Sequence, residues 1–233
     1  LLDRVEVDWP HHASPDAPFH PGAGLAEGEA TLLGTLVHKV LELGGGDPQE
    51  SLRRVFESLL LPVSPRLREL AEECVATVMS DRRFDPIRSL PGQDREVEFQ
   101  LRRGTSEFPC WVIGKIDAIL REPAGWRVID FKTGHVAARR DFALTTLNKY
   151  ALQLGVYSLA IAEWTGQLPG PMELVWLPRG ERLRFQPDRP FLDRIARLLD
   201  WALARARQPA APDAARGLPT GTPDEDLWAP DRG

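Results

Sequence analysis

The chain has 233 residues, enough for one globular domain with a buried core and short arms. Its hydrophobic fraction of 42% and charged fraction of 27% are those of a globular protein, and no apolar run is long enough to cross a membrane. The net charge of −5 at pH 7 would by itself argue against binding to nucleic acid.

The two ends of the chain are rich in proline. Prolines crowd residues 10–21 and again residues 209–230, where several acidic residues join them. We expect an irregular N-terminal arm over residues 1–28, a folded body over residues 29–207 and a Pro-rich acidic tail over residues 208–233. The chain begins without Met and without the features of a signal peptide, so we expect a cytoplasmic piece of a longer protein.

The first half of the body predicts helices followed by strands. Apolar residues recur at helical spacing, and Asp47-Pro48 and Ser64-Pro65 are typical helix starts. Farther along, polar and apolar residues alternate as in strands, and a tight turn at residues 123–125 joins two of these strands into a hairpin. The predicted elements are helices over residues 30–43, 48–60 and 65–80, then strands over residues 96–101, 111–120 and 126–132.

The second half of the body predicts one long apolar helix and a short strand pair. A loop follows residue 134, and the elements after it are a helix over residues 148–164, strands over residues 172–178 and 182–186, and a closing helix over residues 188–207. This order predicts an α/β or α+β layered domain with a mixed sheet.

Two aspartates occupy neighbouring strands of the predicted hairpin. Asp117 and Asp130 are thirteen residues apart, so a tight turn between the strands places them side by side. Two such carboxylates repel one another, and a divalent cation such as Mg²⁺ or Mn²⁺ would hold both of them ionised. Lys132 follows Asp130 by two residues and therefore lies on the same strand face. The group predicts metal-dependent hydrolysis, in which the lysine orients a water or stabilises developing negative charge.

The alternative is a surface ion pair between Asp130 and Lys132, with Asp117 a solvated strand end. The apolar neighbours Val128 and Ile129 argue against this, because charges within an apolar run need partners. Lysine is also rare, at four residues in a chain that otherwise uses arginine, and a compact ammonium suits catalysis.

Five short motifs follow one another along the chain. They are Gly34-x-x-x-His38, Glu96 with Phe99, Gly114-Lys115-Ile116-Asp117, Val128-Ile129-Asp130-Phe131-Lys132-Thr133-Gly134 and Gln153-x-x-x-Tyr157. Together they resemble the PD-(D/E)XK nuclease superfamily and, more narrowly, its RecB-like branch, the nuclease domains of helicase–nucleases. The resemblance covers about residues 30–178. It implies a restriction-endonuclease-like α/β fold, with a central mixed sheet, a three-strand meander, flanking helices and an N-terminal helical segment, over the whole body of residues 29–207.

The resemblance also implies roles at the metal. His38, Asp117, Asp130 and the backbone carbonyl of Phe131 would bind Mg²⁺ or Mn²⁺, and Asp117, Asp130 and Lys132 would carry the catalysis. Read alone, His38 would be an ordinary helix histidine, but imidazole nitrogen is a ligand that Mn²⁺ accepts more readily than Mg²⁺ does.

Three further residues have supporting roles by the same resemblance. Glu96 would either help the metal site or pair with an arginine on the exposed sheet face. Gln153 and Tyr157 share one helix face and would position DNA or the active-site loop, the alternative for Tyr157 being a core aromatic.

The function that the resemblance implies is hydrolysis of DNA phosphodiester bonds by a metal-dependent deoxyribonuclease. An exonuclease with a preference for single-stranded ends is favoured over an endonuclease. The expected setting is the C-terminal nuclease part of a helicase–nuclease in DNA end processing and recombinational repair, with the helicase motor in the same chain or a partner subunit. Two alternatives are a non-catalytic DNA-binding or scaffolding lobe and a stand-alone restriction-type endonuclease.

Composition bears on two expectations of this resemblance. Some relatives hold an iron–sulfur cluster with four cysteines, whereas this sequence has only Cys74 and Cys110, so we expect no such cluster. The acidic balance does not exclude DNA, since arginine pairs are available to line a phosphate path. These pairs are Arg53-Arg54, Arg82-Arg83, Arg102-Arg103 and Arg139-Arg140.

Overall fold

A mixed six-stranded sheet organises the molecule. The computed structural model describes residues 4–9, 23–26, 28–43, 47–59, 62–123, 125–136 and 138–206. The strands are β1 (Val5–Asp8), β2 (Arg95–Gly104), β3 (Pro109–Glu122), β4 (Gly125–Lys132), β5 (Met172–Trp176) and β6 (Arg182–Phe185). The helices are α1 (Glu29–Leu43), α2 (Pro48–Ser58), α3 (Pro65–Ser80), the single turn α4 (Asp85–Arg88), α5 (Arg139–Thr165) and α6 (Arg189–Ala206).

The strand order across the sheet is β1-β6-β5-β4-β3-β2. β2, β3 and β4 form an antiparallel meander, whereas β4 and β5 run parallel and are connected by the long helix α5. This confirms the predicted α/β architecture with a mixed sheet and a three-strand meander. Among the described residues, no helix has both the length and the apolar character that crossing a bilayer requires.

Two apolar layers cover the two faces of the sheet. On one face, α1, α2 and α3 pack against Phe131 and Val175. On the other, α5 and α6 pack against Leu174 and its neighbours. A Cβ at Gly155 of α5 would lie 2.4 Å from the Ile195 side chain, so the absence of a side chain there lets α5 and α6 approach closely.

The start of the chain departs from the prediction. Residues 5–8 form the edge strand β1 and pair with β6, from Val5 opposite Phe185 to Asp8 opposite Arg182. The expectation of an irregular arm over residues 1–28 is therefore wrong for this stretch. Its four residues alternate in the strand pattern, but their partner lies far along the chain, and a local reading of proline content misses such a pairing. Residues 10–22 of the arm and the tail at 208–233 lie outside the described residues.

Helix α5 is also longer than predicted. It begins at Arg139 instead of residue 148, and its first turns bury Phe142, Thr146 and Leu147. Two consecutive threonines, Thr145 and Thr146, lower the helix propensity of this segment. Tertiary packing outweighs that preference because the buried side chains recur at helical spacing.

A buried arginine fastens α1 to the sheet. The Arg95 guanidinium, at the start of β2, donates hydrogen bonds to the carbonyls of Leu41, at 2.7 Å, and Ile87, at 2.8 Å. The first of these satisfies a carbonyl in the last turn of α1 that has no partner within the helix. α1 is thereby held beside the residue that follows Arg95, which is Glu96.

Candidate active site

The hairpin of β3 and β4 opens at its two aspartates. The last backbone pair of the ladder joins Ala118 and Ile129, and continuing the register by one row places Asp117 opposite Asp130. The backbone ladder ends before this row, and the Asp117 Oδ2 accepts a hydrogen bond of 2.6 Å from the backbone N–H of Phe131. The carboxylate thus satisfies a backbone donor at the point where the ladder ends.

A histidine from α1 reaches the same carboxylate. His38 Nδ1 lies 3.2 Å from Asp117 Oδ1 and 3.6 Å from Glu96 Oε1. The approach of α1 depends on Gly34, one helical turn before His38. A Cβ at Gly34 would lie only 3.3 Å from Thr133 Oγ1 in the segment that follows β4. The glycine and the histidine of the first motif therefore act together, one allowing the approach and the other supplying a nitrogen.

Glu96 occupies an unusual backbone conformation. Its φ of +49° lies in the left-handed region, which residues other than glycine rarely adopt, at a cost of order 1–3 kcal/mol. The side chain is directed at His38 and at Lys115, whose ammonium lies 3.5 Å from Glu96 Oε2. Of the two roles predicted for Glu96, the structure places it beside the metal-ligand candidates and pairs it with a lysine rather than an arginine.

The carboxylates determine the charge of His38. Burial lowers the pKa of the imidazole, but its hydrogen bonds to Asp117 and Glu96 and the charges of Asp117 and Asp130 outweigh burial and raise the pKa to about 10. Without a bound metal, His38 is therefore a cation that offsets the neighbouring carboxylates at neutral pH. A metal ligated by His38 must displace this proton.

Asp130 is held in a different environment, with only 2% of its surface exposed. Its Oδ1 accepts hydrogen bonds from Gln153 Nε2 at 2.9 Å and from the Tyr157 hydroxyl at 3.1 Å, and its Oδ2 forms an ion pair with Lys132. Burial raises the pKa of Asp130, the charge of Asp117 raises it further, and Lys132 opposes both effects. The partners on α5 and β4 thus keep a buried carboxylate in one orientation.

Lys132 is equally well fixed. Its ammonium donates a hydrogen bond of 3.1 Å to Gln153 Oε1 and lies 4.7 Å from the centre of the Tyr150 ring. Gln153 therefore contacts both members of the Asp130–Lys132 pair, accepting from the cation and donating to the anion. A side chain amide is suited to this because it carries both an acceptor and donors.

Tyr157 is both a core aromatic and a partner of Asp130, and its predicted role in positioning DNA or the active-site loop stays a prediction. Its ring packs edge-on against Phe99 in the core, with the ring centres 5.9 Å apart, while its hydroxyl contacts Asp130 and Gln153. Burial raises the pKa of the hydroxyl, and the charge of Asp130 adds to this. The hydroxyl is therefore neutral at pH 7 and donates its hydrogen bond to Asp130.

Three donors could hold a divalent cation. In the described part of the chain, one ligand atom each from His38, Glu96 and Asp117 lies within 4.8 Å of the others. One imidazole nitrogen and two carboxylate oxygens suit Mn²⁺ and are compatible with Mg²⁺. Asp130 is not in this group, since its oxygens are engaged by α5 and Lys132. Metal ligation by Asp130 and by the Phe131 carbonyl stays a prediction.

Several arginines that the sequence analysis named for a phosphate path form ion pairs with acidic residues. Arg53 and Arg54 pair with glutamates of α2, Arg83 pairs with Asp81, and Arg103 pairs with Asp200 of α6.

Lys115 was not predicted as part of the site, although its place two residues before Asp117 on one strand puts both on the same face. Cys74 is buried in α3 and Cys110 lies on β3, and neither forms a disulfide.

Comparison with known proteins identifies the class of protein to which the chain belongs. Residues 20–219 match the PD-(D/E)XK nuclease superfamily, and the chain belongs to that superfamily. It is similar to two curated proteins whose names describe subunits of an ATP-dependent helicase/nuclease, from Desulfitobacterium hafniense strains DSM 10664 / DCB-2 and Y51. Each is 41% identical over 71 residues, which are 29% of this chain and 5% of the relative. The chain thus spans a small part of the length of these relatives.

A solved structure is also among the proteins to which the chain is similar. The crystal structure of SSO0001 covers 76% of this chain and of its own length at 16% sequence identity, with a TM-score of 0.39.

Proposed function

We propose that the chain is a Mg²⁺- or Mn²⁺-dependent nuclease domain that hydrolyses phosphodiester bonds in DNA. The observation that carries the proposal is the meeting of His38, Glu96 and Asp117 beside the fixed pair of Asp130 and Lys132. A cation at the three donors would polarise a phosphoryl oxygen and lower the pKa of a water. The family to which the chain belongs supports the same chemistry.

The residues of the site have two roles, one set binding the cation and the other fixing the ammonium of Lys132. His38, Glu96 and Asp117 would hold the cation from three different elements, α1, β2 and β3. Lys132 presents an ammonium that can orient the attacking water and stabilise negative charge that develops on the phosphate. Asp130, Gln153 and Tyr157 keep that ammonium in place, so that little reorganisation is needed during the reaction.

We further propose that the chain is the nuclease part of a helicase–nuclease that processes DNA ends for recombinational repair in the cytoplasm. The partial similarity to the helicase/nuclease subunits supports this setting. A motor in the same polypeptide or in a partner subunit would deliver a single-stranded end to the site. On this basis we expect an exonuclease that prefers single strands.

One set of substrates tests the proposal. The purified chain is incubated with linear and circular DNA, each single- and double-stranded, in Mg²⁺ or Mn²⁺. We expect loss of linear single strands first and survival of covalently closed circles. Cutting of circles would overturn the exonuclease proposal, and discrete fragments from duplex DNA would favour a restriction-type endonuclease. Absence of cleavage of every substrate in both metals would overturn the nuclease proposal itself.

A further inference from the structure

An exposed face of β2 and β3 leads away from the metal-ligand candidates. In the register of this antiparallel pair, Glu98 lies opposite Lys115, Gln100 opposite Ile113 and Arg102 opposite Trp111. All of these side chains are exposed. Continuing the register by one row places Glu96 opposite Asp117, and the Lys115–Glu96 ion pair joins the two rows. The exposed face is therefore continuous with the candidate metal site.

Two large apolar side chains stand on this face in consecutive rows. Trp111 is 56% exposed and Ile113 is 70% exposed. The opposite face of the same strand pair, including Val97 and Phe99, packs toward α5 and α6. Strands that are solvated on one face normally place polar residues there, so neighbouring exposed Trp and Ile residues indicate a surface with a partner.

The chemistry of the rows favours a nucleic-acid strand as that partner. An exposed indole offers a flat surface on which a base can stack, and stacking tolerates any base sequence. Arg102 shares a row with Trp111, and within the described part of the chain it forms no ion pair, in contrast to Arg53, Arg54, Arg83 and Arg103. A guanidinium that is not neutralised can contact a phosphate while the neighbouring indole stacks on the base.

The length of the face fits a strand that ends at the metal. Trp111 and Asp117 are six residues apart on β3, a distance of about 20 Å at the rise of an extended strand. Several nucleotides can occupy that distance between the first stacking contact and the scissile phosphate. Only an unpaired strand offers bases for stacking on the indole, because the faces of the bases in a duplex are already stacked on one another.

We propose that the exposed face of β2 and β3, with Trp111, Ile113 and Arg102 as its contact residues, guides single-stranded DNA to the metal site. This inference rests on the proposed nuclease function and adds the surface by which the substrate is bound. The contact residues bind and position the strand and take no part in the chemical step.

Binding without cleavage tests the face separately from the nuclease activity. The 233-residue chain is titrated in a chelator against fluorescently labelled oligo(dT) of about 12 nucleotides, a length within the range of single-strand binding sites. Trp111→Ala is compared with Trp201→Ala, which removes an indole that is 47% exposed from α6 on the other side of the sheet. We expect Trp111→Ala to raise Kd at least about fivefold, the loss of one stacked base, and Trp201→Ala to leave Kd unchanged.

Charge is tested by the dependence of binding on salt. Arg102→Ala is expected to reduce the slope of log Kd against log salt concentration by about 0.7, the value for one phosphate contact to a single strand. Arg197→Ala, an exposed arginine of α6, leaves the slope unchanged. Equal effects of the two variants would overturn the assignment of a phosphate contact to Arg102.

Three outcomes would overturn the proposal that the exposed face of β2 and β3 guides single-stranded DNA. The first is the same Kd for wild type, Trp111→Ala and Trp201→Ala. The second is an equal loss of affinity for a duplex of the same length, which would exclude stacking on unpaired bases. The third is self-association of the wild-type chain that Trp111→Ala abolishes, which would assign the face to a second copy of the chain.

Cleavage assays separate this proposal from the nuclease proposal. With Mn²⁺, Trp111→Ala is expected to raise KM for the long oligonucleotide while kcat and the cleavage of a dinucleotide stay unchanged. A fall in kcat on both substrates would overturn a purely positioning role. If wild type binds oligo(dT) through Trp111 but cuts no DNA, binding by the exposed face is supported and the nuclease proposal fails.

Discussion

Removal of one hydroxyl tests the support of the Asp130–Lys132 pair. Tyr157→Phe keeps the ring on Phe99 but removes the hydrogen bond of 3.1 Å to Asp130 and the one of 2.7 Å from Gln153. A hydrogen bond to a charged group contributes about 1.5–3 kcal/mol, and Asp130 keeps its other partners, so the lower end applies. For a chain of this size, a loss of about 1.5 kcal/mol in the free energy of unfolding lowers Tm by about 3–6 °C.

The matched control is the other tyrosine of α5. Tyr150 contacts Lys132 through its ring at 4.7 Å, and no hydrogen bond of its hydroxyl is found within the described residues. Tyr150→Phe is therefore expected to change Tm by less than about 1 °C. Thermal unfolding of both variants with the wild type measures the difference, and kcat with Mn²⁺ is expected to fall only for Tyr157→Phe. Equal Tm values for the two variants would refute a supporting role for the Tyr157 hydroxyl.

Three further predictions concern the metal, the packing of α5 and the thiols. Binding of Mn²⁺ at neutral pH should release about one proton, because His38 with its pKa of about 10 must lose its proton to become a ligand. Calorimetry in two buffers of different ionisation enthalpy measures this proton release. The release should be absent in His38→Ala. Gly155→Ala should lower the free energy of unfolding by about 1–3 kcal/mol despite its better helix propensity, since the new Cβ meets Ile195. Combined with Ile195→Ala, which removes the contacting atoms, it should cost less than the sum of the two single losses, and additive effects would contradict the predicted contact. Burial raises the pKa of Cys74 to about 12, so this thiol should react with a disulfide reagent at mildly alkaline pH only after unfolding, and rapid labelling of native Cys74 would contradict its burial.

The pKa of His38 also sets the direction of a stability change. Because the folded-state pKa is raised above the ordinary value of 6.5, the pairing of His38 with the carboxylates stabilises the metal-free protein fully below that pH. This contribution is lost as the pH rises through about 10. A bound metal would replace the proton of His38, and the attraction of the metal for the carboxylates would then stabilise the folded protein.

The elements of the core were predictable because their patterns are local. α1, α2 and α3 begin within a residue of the predicted positions, and Asp47 and Ser64 accept the capping hydrogen bonds that their place before a proline indicates. The alternation over β2, β3 and β4 likewise placed Asp117 and Asp130 on adjacent strands. Short-range periodicity and capping chemistry suffice for such features.

Other features depend on contacts that no local pattern records. The edge strand β1 pairs with residues far along the chain, and the first turns of α5 are stabilised by the core against their own propensity. The left-handed φ of Glu96 is imposed by the surrounding structure and leaves no signal in the sequence. The same holds for the place of the Gln153 amide between Asp130 and Lys132, which depends on how α5 packs against β4.

The role of Lys132 is the most direct test of the proposed chemistry. The rate of cleavage of linear single-stranded DNA with Mn²⁺ is measured for wild type, Lys132→Ala and Lys149→Ala. Lys149 lies 5.1 Å from the same Tyr150 ring that Lys132 contacts, but forms no ion pair with Asp130. We predict a loss of at least about 100-fold for Lys132→Ala, as for removal of one group that stabilises a transition state, and less than about threefold for Lys149→Ala. Cleavage by folded Lys132→Ala at the wild-type rate would contradict the proposed mechanism.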